Sequence, residues 1–360
     1  MENRVFNFNP GPAALPLPVL EKVQAELLNY RGEGLSVLEM SHRSKTFESI
    51  INRAVESTKK VMGFGDDYSV LFLQGGATAQ FAAVPLNLAL KDKPALYINT
   101  GSWSKKAIGE AKKLGINHQV IASSEDKNFS YIPKNFEIPQ NASYVHITSN
   151  NTIFGTQWQE YPKTGDVPLV ADMSSDLYCR RFDPTQFGLI YGGAQKNAGP
   201  AGVTIVIIRN DLLERCHDDI PTILNYKIFA EKNSLYNTPN CFGIYVVGLV
   251  MDWILQQGGI DAIERVNRKK AALLYDTLDS SEFFRPTAEK DSRSLMNVTF
   301  RLPNEELEKT FVSRATEAGL IGLKGHRSVG GIRASIYNAV SLAAVEALVK
   351  FMKEFEKDNG

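Results

Sequence analysis

The chain has 360 residues, 43% hydrophobic and 22% charged, which is enough for two domains of ordinary size and a sizeable core. Lys plus Arg and Asp plus Glu both number 40, so the formal net charge is zero and no global field draws nucleic acid or an anionic membrane. Three scattered cysteines, Cys179, Cys216 and Cys241, argue against a disulfide framework, and five histidines without close spacing supply no metal-ligand set, so no metal is expected. The start, Met1 to Phe8, lacks a signal-peptide pattern and no apolar run reaches spanning length, which makes a cytoplasmic location the expectation.

From Tyr68 to Arg209 short apolar runs alternate with helical patterns: Ser69 to Gln74, Ala95 to Asn99, Gln119 to Ala122, Tyr144 to Thr148 and Leu169 to Asp172. That alternation predicts an α/β fold with a mostly parallel sheet and helices on its faces. The turn Gly75-Gly76-Ala77-Thr78-Ala79-Gln80 leads from the first run into a helical run, Phe81 to Leu90. A glycine turn at a helix N-terminus suits a phosphate, with the Thr78 hydroxyl as an added donor. It matches neither the dinucleotide fingerprint nor a P-loop, so a smaller phosphorylated cofactor fits better than a nucleotide.

The run Leu169 to Asp172 ends in a carboxylate, at the strand end where open α/β sheets place their ligands. Gly188 to Tyr191 then leads into Gly192-Gly193-Ala194-Gln195-Lys196-Asn197-Ala198-Gly199, and Val203 to Ile208 forms the next run. A lysine amine among small residues can be reached by other groups and loses its proton when desolvated, as Schiff-base chemistry requires. An acid aimed at a pyridine nitrogen keeps that ring an electron sink, so Lys196 and Asp172 together propose pyridoxal phosphate. Cys241 to Gln257 and Ile260 to Leu278 read as helices parted by Gly258-Gly259, with a domain boundary near 258. Beyond it, strands at Asn297 to Arg301 and Ile332 to Ser335 and helices at Glu305 to Ala318 and Ser341 to Phe355 suggest a small α+β layer.

The segments Phe8-Asn9-Pro10-Gly11-Pro12-Ala13, Met40-Ser41-His42-Arg43-Ser44, Ala171-Asp172-Met173-Ser174-Ser175, Gly193-Ala194-Gln195-Lys196-Asn197, Tyr236-Asn237-Thr238-Pro239 and Gly325-His326-Arg327-Ser328 carry a resemblance running nearly end to end. The chain resembles the phosphoserine aminotransferase family, class-V pyridoxal-phosphate enzymes of fold type I. The resemblance implies a large domain, residues 16–258, with a seven-stranded-type sheet, and a small domain from 1–15 and 259–360. It implies one pyridoxal 5'-phosphate per subunit as a Schiff base on Lys196, with Asp172 on the pyridinium nitrogen, Trp103 on the ring and Thr152 at the phenolic oxygen.

By the same resemblance, Ala77, Thr78 and Gln195 hold the phosphate, joined by Asn237 and Thr238 from the other subunit of a homodimer. Arg333 clamps the substrate α-carboxylate, while the pairs His42-Arg43 and His326-Arg327, from the partner subunit, meet the substrate phosphate or the distal carboxylate of glutamate. Some family members carry an arginine where this chain has Ala77, which leaves glutamate more dependent on Arg43 and Arg333. The implied reaction is ping-pong, from L-glutamate and 3-phosphohydroxypyruvate to 2-oxoglutarate and O-phosphoserine, in serine and also pyridoxine biosynthesis. The alternative is another class-V aminotransferase, of the alanine–glyoxylate type.

Overall fold

The computed structural model describes residues 4–360. Met1, Glu2 and Asn3, on which part of the N-terminal and domain readings fell, lie outside the described residues. Phe6–Asn7 (β1) is followed by helices Leu17–Glu26 (α1) and Lys45–Met62 (α2). Neither helix was among the expected elements, although α2 carries clear signals. Ser44 caps it by accepting the Phe47 N–H, Gly63 ends it at φ 80°, and Phe47, Ile50, Ile51, Ala54, Val61 and Met62 bury one helical face.

Next come Tyr68–Leu73 (β2), Gly76–Leu88 (α3), Ala95–Asn99 (β3), Ser102–Lys113 (α4), His118–Ser123 (β4) and Tyr144–Thr148 (β5). Asn150–Asn151 (β6) and Thr156–Gln157 (β7) form a small antiparallel pair before Leu169–Asp172 (β8), Leu189–Gly193 (β9) and Thr204–Arg209 (β10). Among the described residues these give a seven-stranded sheet in the order β2-β10-β9-β8-β5-β3-β4. It is parallel from β9 to β4, with β10 running against both neighbours. Strands β3, β5 and β8 are buried throughout, because helices cover both faces of a sheet of this kind.

A short helix, Tyr226–Glu231 (α5), precedes Cys241–Gln256 (α6) and Ile260–Asp279 (α7). The last two bend by 84° at a break where Gly258 and Gly259 take φ of 96° and 77°, and no single helix among the described residues is long and apolar enough to cross a membrane.

Beyond the break, Arg285–Pro286 (β11), Asn297–Arg301 (β12) and, after Glu305–Glu317 (α8) and Leu320–Ile321 (β13), Ile332–Ser335 (β14) give an antiparallel sheet in the order β11-β12-β14. Leu342–Asn359 (α9) closes the chain. An aromatic core of Phe284, Phe300, Phe311 and Phe355 fills the space under this sheet, with Phe311 touching the other three at ring distances of 5.1 to 6.1 Å. Each such ring contributes about 1.5–3 kcal/mol by leaving water. Phe8 belongs to the same core, and β1 pairs in parallel with β13.

Candidate active site

A cavity of about 390 Å³ opens beyond the carboxyl ends of β5, β8 and β9, which deliver Thr148, Asp172 and Gly193 to its wall. This is the position at which parallel α/β sheets bind small ligands, and the volume suits one. Lys196 follows β9 in the turn, and its Nζ donates to Thr152 Oγ1 at 2.7 Å. Gly11 stands against the lysine stem, where a Cβ would lie 3.3 Å from Lys196 Cγ, with the backbone at φ 138°. Only glycine tolerates that combination, so the N-terminal segment forms one wall of the lysine's channel.

Burial pushes the Lys196 amine down to about 8; Asp172 opposes the shift and the Arg333 charge adds to it. With the folded value below the ordinary one, the reactive neutral amine is gained as pH rises through about 8 rather than near 10.5. In the cofactor-free protein, the rate of Lys196 condensation with a small aldehyde is therefore expected to rise through an inflection near pH 8. An inflection at the ordinary lysine value would contradict the burial.

Asp172 is buried, and burial raises its carboxyl above the usual range, while hydrogen bonds from Ser174 and the Lys196 charge pull it back. Oδ1 accepts from Ser174 N at 2.9 Å and from Ser174 Oγ at 2.6 Å, an Asx-turn that fixes the carboxylate's direction. Ser174 had no role in the sequence expectations, although the Asp-x-Ser spacing is the signal for such a turn.

The anion turn forms as expected but starts the helix earlier, at Gly76 rather than Phe81. Gly75 is the N-cap at φ 93° and carries no side-chain cap, so the first N–H groups of α3 face the cavity wall at Gly76, Ala77 and Thr78 without a capping partner. A Cβ on Gly75 would lie 2.6 Å from Ala79 Cβ, so this tight entry requires glycine. Gln195 borders the same cavity.

Trp103, in the first turn of α4, lines the cavity with its Nε1 buried and without a partner, and Lys106 Nζ lies 4.3 Å from the ring centre. Arg333 enters from β14, 6% exposed, with Nη1 donating to the Thr152 carbonyl at 3.2 Å and Nε buried without a partner. A buried guanidinium with no carboxylate paired to it is costly unless an anionic ligand completes it. His326 also lines the wall, its imidazole pushed below its usual value by burial first and then by Arg333, Arg327 and Lys106.

The structure thus gathers Ala77, Thr78, Trp103, Thr152, Asp172, Gln195, Lys196, His326 and Arg333 around one cavity. His42, Arg43, Asn237, Thr238 and Arg327 do not line it in this chain; the Thr238 carbonyl accepts from Gln74 Nε2 at 2.9 Å, and Arg327 borders a neighbouring groove on α8. The resemblance assigned the His326–Arg327 pair to the partner subunit; within this chain the turn after β13 carries His326 to the wall of the cavity. Asn150, Ser175 and Phe81 also line the cavity and were not among the expected site residues.

The model of the class-V aminotransferase family matches residues 5–348. The phosphoserine aminotransferase of Desulfatibacillum aliphaticivorans is 61% identical over 361 residues, covering 100% of both chains. The solved phosphoserine aminotransferase of Bacillus circulans subsp. alkalophilus superposes with a TM-score of 0.97 at 51% identity, over 99% of each chain. The PLP-bound phosphoserine aminotransferase of Trichomonas vaginalis gives a TM-score of 0.93 at 37% identity, over 97% of this chain and 100% of its own. With a matching family model over nearly its whole length and full-length relatives of this identity, the chain belongs to the class-V aminotransferases.

Proposed function

We propose that the chain is a pyridoxal-phosphate-dependent phosphoserine aminotransferase, moving the amino group of L-glutamate to 3-phosphohydroxypyruvate by a ping-pong route and so serving serine biosynthesis. The observation that carries the reading is the meeting, in one cavity, of a lysine amine pushed down to about 8, a buried carboxylate and an arginine with an unpartnered Nε. The full-length relatives of that name support the choice of substrate.

The residues fit the cofactor. An uncapped helix start suits its phosphate, buried Asp172 suits a protonated ring nitrogen, and the Trp103 indole on the cavity wall suits stacking. Lys196 would hold it covalently, Ala77, Thr78 and Gln195 would hold the phosphate, and Thr152 the phenolic oxygen. Bound there, pyridoxal phosphate supplies the electron sink that stabilises charge at a substrate α-carbon. Arg333 binds the α-carboxylate as a bidentate fork and orients the α-carbon towards Lys196. Lys196 Nζ takes the proton from the donor's α-carbon and later returns one to the acceptor's α-carbon, which an amine near 8 can do in both directions around neutral pH. Thr152 Oγ1 holds that amine in place.

A homodimer is part of the proposal. His42, Arg43, Asn237, Thr238 and Arg327 lie outside this chain's cavity wall, and a second copy would bring anion donors to it. A cytoplasmic location and the division into a large domain, 16–258, and a small one built from both chain ends belong to the same reading.

The test compares acceptors. The kcat/KM for 3-phosphohydroxypyruvate is expected to exceed that for glyoxylate by about 10³-fold or more, because groups built for the distal phosphate are left unpaired by glyoxylate, whose only anionic group is its carboxylate. A preference for glyoxylate would select the alanine–glyoxylate type instead. Arg333→Met is expected to lower kcat/KM for donor and acceptor alike by about 10²–10³-fold, since both carry the α-carboxylate. A loss confined to one of them would remove Arg333 from that role.

A further inference from the structure

Lys270 is on α7, has no solvent exposure, and does not touch the cavity described above. Its Nζ donates to three backbone carbonyls, Ile336 at 2.9 Å, Tyr337 at 2.8 Å and Val340 at 3.0 Å. An ammonium has three donors, so all are used, and all on one short segment between β14 and α9. No carboxylate shares the site among the described residues; burial pushes the amine down to about 7, and the three carbonyl acceptors favour its charged form. A methionine or leucine would fill the same volume without the cost of burying a charge. Three charge-assisted bonds to carbonyls do what an apolar side chain cannot: they fix the direction of three peptide groups.

What that segment holds is the site. Asn338 N donates to Asn197 Oδ1 at 3.0 Å, and Asn197 is the residue after Lys196. Asn338 Nδ2 donates to the Tyr178 carbonyl at 2.8 Å and accepts at Oδ1 from Asn267 Nδ2 at 2.8 Å, so the turn is braced from both sides. Tyr337 Oη donates to the Pro10 carbonyl at 2.9 Å, beside the Gly11 wall of the lysine channel. Upstream, the same segment continues β14, which carries Arg333.

We infer that Lys270 is a positioning residue for transamination: its ammonium fixes the Ile336–Val340 turn, and through the Asn338–Asn197 bond that turn sets where the Lys196 amine stands. The inference rests on Lys196 being the proton carrier. A side chain on α7, outside the cavity, thereby acts on the chemistry by geometry, and a displacement of about 1 Å is enough to matter to proton transfer.

The experiment uses the holoenzyme and three variants: Lys270→Met, Asn197→Ala and, as a control for simple destabilisation, Phe355→Ala in the distant aromatic core. All are assayed well below their melting temperatures. Lys270→Met is expected to lower kcat by about tenfold or more and to speed hydrogen exchange across Ile336–Val340, while Phe355→Ala keeps wild-type kcat. Asn197→Ala is expected to lower kcat similarly, and the double variant should be no worse than the weaker single one, because both break one relay. Wild-type kcat in folded Lys270→Met, multiplying losses in the double variant, or an equal loss in Phe355→Ala would each overturn the inference. Should Lys270→Met fail to fold, normal kcat in Asn197→Ala overturns it alone. A wild-type enzyme inert towards glutamate would instead sink the reading of Lys196 on which this rests.

Discussion

Lys196→Ala is expected to lower turnover by about 10⁴-fold or more and to leave no cofactor attached to the chain after borohydride reduction. Two tasks fall on the one amine, covalent attachment and proton transfer, and no neighbour can take over both; His326, another nitrogen base on the cavity wall, cannot hold the cofactor as a Schiff base. Thr152 Oγ1, its hydrogen-bond partner at 2.7 Å, is a hydroxyl whose proton affinity is unsuited to the work. Arg333, whose charge reaches the lysine, is a guanidinium that stays protonated and cannot take a proton. The measurement is steady-state turnover together with mass spectrometry of the reduced protein. A variant that kept a normal rate would remove Lys196 from the chemistry altogether.

Asp172→Asn is expected to lower kcat by about 10²–10³-fold with cofactor still bound, because a preorganised charge aimed at the reacting system is lost. The substitution is nearly isosteric, and Ser174 N–H and Oγ–H can still donate to the amide oxygen, so the Asx-turn and the fold should survive. An amide has no charge to hold a proton on a pyridine nitrogen. Stopped-flow rates with glutamate, set beside the cofactor content of the same preparation, separate the loss of rate from a loss of binding. An unchanged rate at full cofactor content would show that the carboxylate serves packing only.

Strand positions were legible because parallel strands covered on both faces are continuous apolar runs. Ala95–Asn99, Tyr144–Thr148 and Leu169–Asp172 fall at the expected bounds for that reason, and Asn297–Arg301, in the antiparallel sheet, falls at its expected bounds too. The reversed direction of β10 was not legible, since an apolar run such as Thr204–Arg209 looks the same from either end. Helix α2 was legible in principle, through the Ser44 cap, the Gly63 stop and the spaced apolar face, but α4 has a glycine cap and buries only the small residues Ser104, Ala107 and Ala111, which gives a weak signal.

At the site, Lys196 and Asp172 stood out because their chemistry needs those residue types at a turn and at a strand end. Ser174 and Lys270 did not, because their work depends on which atoms they touch, and spacing along a chain does not show that for a lysine and carbonyls on different elements. The placement of His326 in its own chain's cavity is of the same kind, since a loop's path decides it.

The most direct test is the isolated half-reaction, followed by the visible absorbance of the Lys196-linked cofactor. Glutamate alone should bleach the band and release a stoichiometric amount of 2-oxoglutarate, and 3-phosphohydroxypyruvate added afterwards should restore it and yield O-phosphoserine. A band that glutamate leaves unchanged, or one that glyoxylate restores and 3-phosphohydroxypyruvate does not, would contradict the account.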